Sequence, residues 1–224
     1  MNLNDIKISL KSGESMATNE ERHAATRERI LTAATDLFLN NGYKKTSIAM
    51  IAGQAGVSPV TLYKYFDSKI VLGHQVVLKM VVDGYAQYQK LVDDPSIDFR
   101  KLIRQMIVMS TDTAKRMSTD FYTFIVKDMQ GKLGTDETMK AYQNGKAKFW
   151  GTVIGRGRKA GLIRPEISDQ ALMMYLDMFI QYVQNPQNDS LYQHPIAMKM
   201  MTDEIVHLFF YGFIGHAPVK RQEQ

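Results

Sequence analysis

The chain has 224 residues, 45% of them apolar and 23% charged, with a net charge of +5 and no cysteine. At about 150 residues per domain this is one large domain or two small ones, able to bury a core, and the lack of cysteine excludes a disulfide scaffold, thiol catalysis and cysteine-ligated zinc. No run reaches the roughly 18 uninterrupted apolar residues of a membrane span, and the N-terminus lacks the basic start and apolar block of a signal peptide, so a soluble cytoplasmic protein with no cofactor and no metal is expected.

Residues 1–24 read as a flexible leader: Met1–Ala25 hold two lysines, one arginine and four acidic residues without sustained periodicity. Helical spacing starts at Ile30, Ala33, Ala34, Leu37 and Phe38, one apolar stripe. Asn41-Gly42 ends it, glycine supplying a positive φ. Thr46 is the expected N-cap of a second helix carrying Ile48, Ile51, Ala52 and Ala55, closed by a turn at Gly56-Val57. Ser58 caps a third, short helix with Pro59 at its first position, where a missing N–H costs nothing. A fourth helix starts near Lys69. Further helices are expected at about 98–110, 113–130 and 137–161, then at 169–184 behind Ser168, and last at 196–212. No β-hairpin signal and no repeat occurs, so the chain reads as all-α.

The unit from Thr46 to Lys69 has two helices of about two turns joined through Gly56, a helix-turn-helix pattern. Ile48, Ile51, Ala52, Val57, Leu62 and Phe66 fall on its inner face. Thr46, Ser47, Ser58, Thr61, Tyr63, Lys64, Tyr65 and Lys69 fall outside, donors suited to phosphates and base edges. Between Arg22 and Gly73 there are seven basic and three acidic residues, four of the chain's five net positive charges. Such a region attracts a phosphate backbone in a salt-dependent way.

Gly42-Tyr43-Lys44-Lys45-Thr46-Ser47-Ile48, then Ile51-Ala52, Ala55-Gly56-Val57-Ser58 and Leu62-Tyr63-Lys64-Tyr65-Phe66-Asp67-Ser68-Lys69 together resemble the DNA-binding domain of the TetR family of bacterial transcriptional regulators. The resemblance covers about 29–72. It implies a three-helix helix-turn-helix domain at 25–72 and a larger helical ligand-binding and dimerisation domain at 73–217. It further implies that the start of the second helix meets a phosphate through Thr46, Ser47 and free amides, with Lys45 beside them. Pro59, Val60, Thr61 and Lys64 would face base edges, with Ser58 opening the helix, and Tyr63, Tyr65 and Lys69 would bind flanking phosphates. Many members have glycine where this chain has Val60, whose side chain would stand toward the groove and suit a thymine methyl. Members bind near-palindromic double-stranded operators as homodimers and are released by a small effector.

The segment 169–184 is apolar on nearly all sides, as a helix serving both a core and a partner would be. The family resemblance implies that the last two long helices form the dimer interface, by position 163–184 with 196–213 or, if the count is shifted, 137–161 with 169–184. The second pair is preferred, because a long helix followed by a capped apolar one near the chain end is the usual arrangement. Met106, Phe121, Tyr122, Phe124, Phe149, Trp150, Met174 and Met178 are soft or aromatic residues of the central helices and the candidates for an apolar effector pocket. Asp120, Asp128 or Asp177 would partner a cationic effector. The five histidines lack His-Glu-x-x-His spacing, 155–161 misses dinucleotide spacing, and neither a phosphate-binding loop nor a Gly-x-Ser-x-Gly elbow occurs. The expectation is a non-enzymatic, ligand-responsive repressor; the alternatives are an activator of the same fold and a small-molecule-binding protein without specific DNA binding.

Overall fold

The computed structural model describes residues 18–184 and Leu208, and every regular element among them is an α-helix. In chain order these are α1 (Asn19–Asn41), α2 (Ile48–Ala55), α3 (Pro59–Tyr63), α4 (Lys69–Asp93), α5 (Phe99–Arg116), α6 (Thr119–Met129), α7 (Glu137–Lys159) and α8 (Asp169–Gln184). Residues 1–17, the expected helix at 196–212 and the dimer pairing that uses it lie outside the described residues.

Local chemistry sets most helix starts. Ser47, Ser58 and Ser68 each accept the backbone N–H three residues on, capping α2, α3 and α4. α1 begins at Asn19, so residues 19–24 are helix rather than leader. The cause is a reciprocal capping box: Thr18 accepts the Glu21 N–H at 3.2 Å while Glu21 accepts the Thr18 N–H at 2.6 Å. The first turns of α1 are exposed, which is why they carry no apolar period.

The expected helix over 113–130 is divided in the structure. α5 continues to Arg116, the chain turns at Met117-Ser118, and α6 starts at Thr119. That turn redirects α6 so that Phe121 and Phe124 pack against the N-terminal helices.

Two hydrophobic cores result, and α4 runs through both. The first joins Ile30, Phe38, Ile51, Leu62 and Phe66 of the head to Leu72 and Val76 of α4 and Phe121 of α6. The second gathers Val92 with Phe99, Leu102, Met106, Phe149 and Ile163. Where α4 ends, the Arg156 guanidinium of α7 donates to the carbonyls of Val92 (2.6 Å), Asp94 (3.0 Å) and Ile97, satisfying acceptors that a helix end leaves open. Arg158 braces the next connection through the carbonyls of Arg164 and Ile167 and the Asp169 carboxylate. No helix among the described residues is long and apolar enough to cross a membrane.

Between the cores, His74 of α4 is buried with Nδ1 2.9 Å from Asp128 of α6 and Nε2 3.0 Å from Glu137 of α7. The Thr138 hydroxyl donates to the second Asp128 oxygen at 2.5 Å. Two carboxylate acceptors on the two ring nitrogens suit an imidazolium that donates from both. Burial pulls the His74 pKa down, but the hydrogen bonds to Glu137 and Asp128 and their charges outweigh it, and the net shift is upward. A raised folded-state pKa stabilises the fold fully below the ordinary histidine value of about 6.5, and this contribution is lost as pH rises through the folded value. Denaturant titrations of wild type and His74→Gln should therefore show a stability gap that is larger at about pH 6 than at about pH 9; a gap that widens with pH would contradict the charged-histidine assignment.

Candidate nucleic-acid interface

The helix-turn-helix is built from α2, a left-handed glycine and α3. Gly56 sits at φ +67° and its N–H returns to Ala52 and Gly53, closing α2. Ser58 then caps α3 with Pro59 in the first turn. α3 has five residues, too few to be stable alone. It is held by Leu62 and by Phe66 just beyond it, both buried in the first core, and Arg27 lies 5.3 Å over the Phe66 ring.

Anchoring those two residues turns the rest outward. Ser58, Pro59, Tyr63 and Lys64 are exposed, Thr61 is partly so, and Val60 is 70% exposed. Ser58 and Thr61 share a hydroxyl contact of 2.9 Å. Lys45 and Ser47 are exposed at the start of α2. Tyr65 is partly buried, its ring 4.3 Å from that of His23 in α1. Lys69 is also partly covered, with its ammonium 4.4 Å from the Tyr43 ring. Burial lowers the Lys69 pKa, opposed by the charge of Asp120.

Thr46 differs from expectation. Ser47, one residue later, is the N-cap of α2. Thr46 is 1% exposed, and its hydroxyl donates to the carbonyls of Gly42 (2.7 Å) and Leu37 (3.2 Å). Its oxygen faces inward, so Thr46 holds the α1–α2 loop rather than facing a phosphate.

The same loop is held from α6 by a residue whose role the sequence does not reveal. Asp120, in the first turn of α6, accepts the Lys44 backbone N–H at 2.6 Å and the Ser118 hydroxyl at 2.9 Å. Its carboxylate fills the space a Cβ on Gly42 would need. The run Ser118-Thr119-Asp120 carries a helix-start signature, obscured by an apolar pattern that continues through it.

The eight effector candidates do not line one cavity. Phe121 and Phe124 belong to the first core, and Met106, Phe149 and Trp150 to the second core and its edge. Tyr122 is partly buried. Met174 and Met178 are 67% and 61% exposed on α8, because that helix buries Leu172 and turns its other side outward. The three aspartates considered for a cationic effector all have protein partners: Asp120 the Lys44 loop, Asp128 the His74 cluster, and Asp177 the Lys146 ammonium. Among the described residues, no group of three or more His, Asp or Glu side chains could hold a metal ion.

Replacing Asp120 with alanine removes the acceptor of the Lys44 amide, so hydrogen exchange at that amide should rise by about tenfold or more relative to wild type. Unchanged exchange there would show that the loop does not rely on this bond.

The family model for bacterial regulatory proteins of the tetR family matches residues 30–73, which span the end of α1 through the start of α4. The transcriptional repressor KstR2 of Mycolicibacterium smegmatis is 24% identical over 157 residues, 64% of this chain and 70% of that protein. The transcriptional activator FasR of the same organism is 33% identical over 108 residues, 47% of this chain and 42% of that protein. The match spans about two fifths of the length of the second relative. A solved structure of a proposed TetR-family transcriptional regulator from Mesorhizobium loti matches with a TM-score of 0.51 at 22% identity, covering 86% of this chain and 97% of that one, which speaks for the fold alone. Residues 30–73 thus form a helix-turn-helix similar to the DNA-binding segment of bacterial regulatory proteins of the tetR family, with a helical body behind it.

Proposed function

We propose that the protein is a repressor that binds a near-palindromic operator as a homodimer and is released by a small apolar or aromatic effector. The outward face of α3 carries this reading. Val60, Tyr63 and Lys64 are exposed while Leu62 and Phe66 are buried, the orientation a recognition helix needs to enter a major groove. Lys45 and Ser47 sit where the free amides of α2 begin, suited to a phosphate. The Val60 side chain suits a thymine methyl.

Two such heads must be presented about 34–36 Å apart to reach successive grooves. The exposed Met174 and Met178 of α8 support a second copy meeting that face, because one head reads too few base pairs to select a site in a genome. Repression needs only occupancy of a promoter, whereas activation needs a further surface for the polymerase. The names of the two M. smegmatis relatives include one regulator of each kind, and an activator remains the second reading. Loss of the gene should raise transcription from the bound promoter if the protein represses and lower it if it activates. An effector can shift the head spacing only by as much as it binds the two arrangements differently.

Binding measured across salt on genomic fragments tests the operator reading. Lys45→Ala should weaken all sequences alike and reduce the log-log salt slope by about 1.8, about 0.9 for each of the two subunits. Replacing the contacted thymine with uracil should cost wild type about 0.8 kcal/mol, roughly fourfold, and cost Val60→Ala little. An equal loss in both proteins would remove the methyl contact. Separately, sedimentation should find wild type dimeric and the Met174→Glu, Met178→Glu double variant monomeric; a dimer in both would move the interface off this face.

A further inference from the structure

A cleft of about 630 Å³ opens where the DNA-binding head meets α6, away from the second core. Its volume falls within the roughly 300–1,000 Å³ of small-molecule sites. Ile70 of α4, Phe124 and Val126 of α6 and Leu133 beyond α6 supply apolar walls. Ile70 is half exposed there, apolar surface left open at the first turn of a long helix. The Phe124 ring stacks on Tyr43 at 4.1 Å and lies so close to Gly73 that a Cβ would meet it at 2.6 Å, which fixes the back of the cleft.

Its charged groups do not balance. Lys44 of the head and Lys127 of α6 border it, and the ion pairs among the described residues all lie elsewhere. The acidic residue present, Asp120, already accepts the Lys44 backbone N–H and the Ser118 hydroxyl. The Thr119 and Thr123 side chains add hydroxyl groups to the lining. We infer that this junction cleft binds a small amphipathic carboxylate, its apolar or aromatic body against Ile70, Phe124 and Leu133 and its anion between Lys44 and Lys127. The occupant would bridge head and body, adding to the Asp120 contact a second link across the same seam.

The full-length protein can be tested with two photo-probes of one shape, 4-benzoylbenzoate and neutral benzophenone, with adducts mapped by peptide mass spectrometry. This readout needs no DNA, so it stands or falls separately from the operator reading. The anionic probe should label peptides containing Ile70, Phe124 or Leu133 in preference to the rest of the chain. Changing both Lys44 and Lys127 to glutamine should reduce that labelling by about fivefold or more and leave benzophenone labelling unchanged. Thr123→Trp, which fills the cleft from a partly buried helix position, should block both probes there. Equal labelling by the two probes, insensitivity of the anionic probe to the double lysine change, or adducts concentrated elsewhere would each overturn the inference.

Discussion

Head and body of this protein meet where there is no room for a methyl group. At Gly73 the α4 backbone lies against the rings of Phe124 and Tyr43, and any β-carbon would collide with Phe124 at 2.6 Å and crowd Tyr43 at 3.0 Å. That approach lets Tyr43 of the α1–α2 loop stack on Phe124 of α6 and lets Phe38 reach Phe121 at 5.4 Å. The head's core is consequently completed by a residue of the helical body, with Phe121 fully buried in it. Burial of this kind is short-ranged and intolerant of volume change. A displacement of α6 cannot be absorbed locally and must be felt by the α1–α2 loop.

The polar contacts along the same seam follow from the need to satisfy groups that packing has taken out of water. Asp120 receives the Lys44 amide, Ser118 donates to Asp120, and Thr46 donates to the end of α1. One helical turn into α4, His74 ties α6 and α7 to the same helix through two carboxylates. α4 thus carries apolar contacts with the head at its start, a charged cluster next, and the Arg156 brace at its end. A helix fixed at three levels ties the helix-turn-helix head to the helical body behind it.

The recognition surface depends on what lies beneath it. A five-residue helix has almost no stability of its own, so the exposure of Val60, Tyr63 and Lys64 is a consequence of burying Leu62 and Phe66. Side chains on the outer face can then vary in chemistry without disturbing the fold. The glycine-to-valine departure from many family members sits on this face, where added volume meets solvent rather than core.

The amino-acid sequence alone determined the features that close within a few residues. Ser58-Pro59 opening α3, the start of α4 near Lys69, the positive φ of Gly42, the turn at Gly56 and the buried stripe of α1 all rest on contacts between near neighbours, and so the helix-turn-helix and its outer face were legible. The start of α1 was written in Thr18 and Glu21 but hidden by an exposed, polar first turn. Only the tertiary structure decided the inward turn of Thr46, the break before α6, the partners of His74 at Asp128 and Glu137, and the division of the aromatic residues between two cores. The His74 partners and the sharing of aromatic residues between cores depend on which helix faces meet across 50 or more residues of chain, as the 54 between His74 and Asp128 illustrate. Thr46, by contrast, bonds carbonyls only four and nine residues back, and its direction is set by how the α1–α2 loop is packed. A periodic pattern says that a face is apolar, but the identity of the opposing face is set by the packing of the whole.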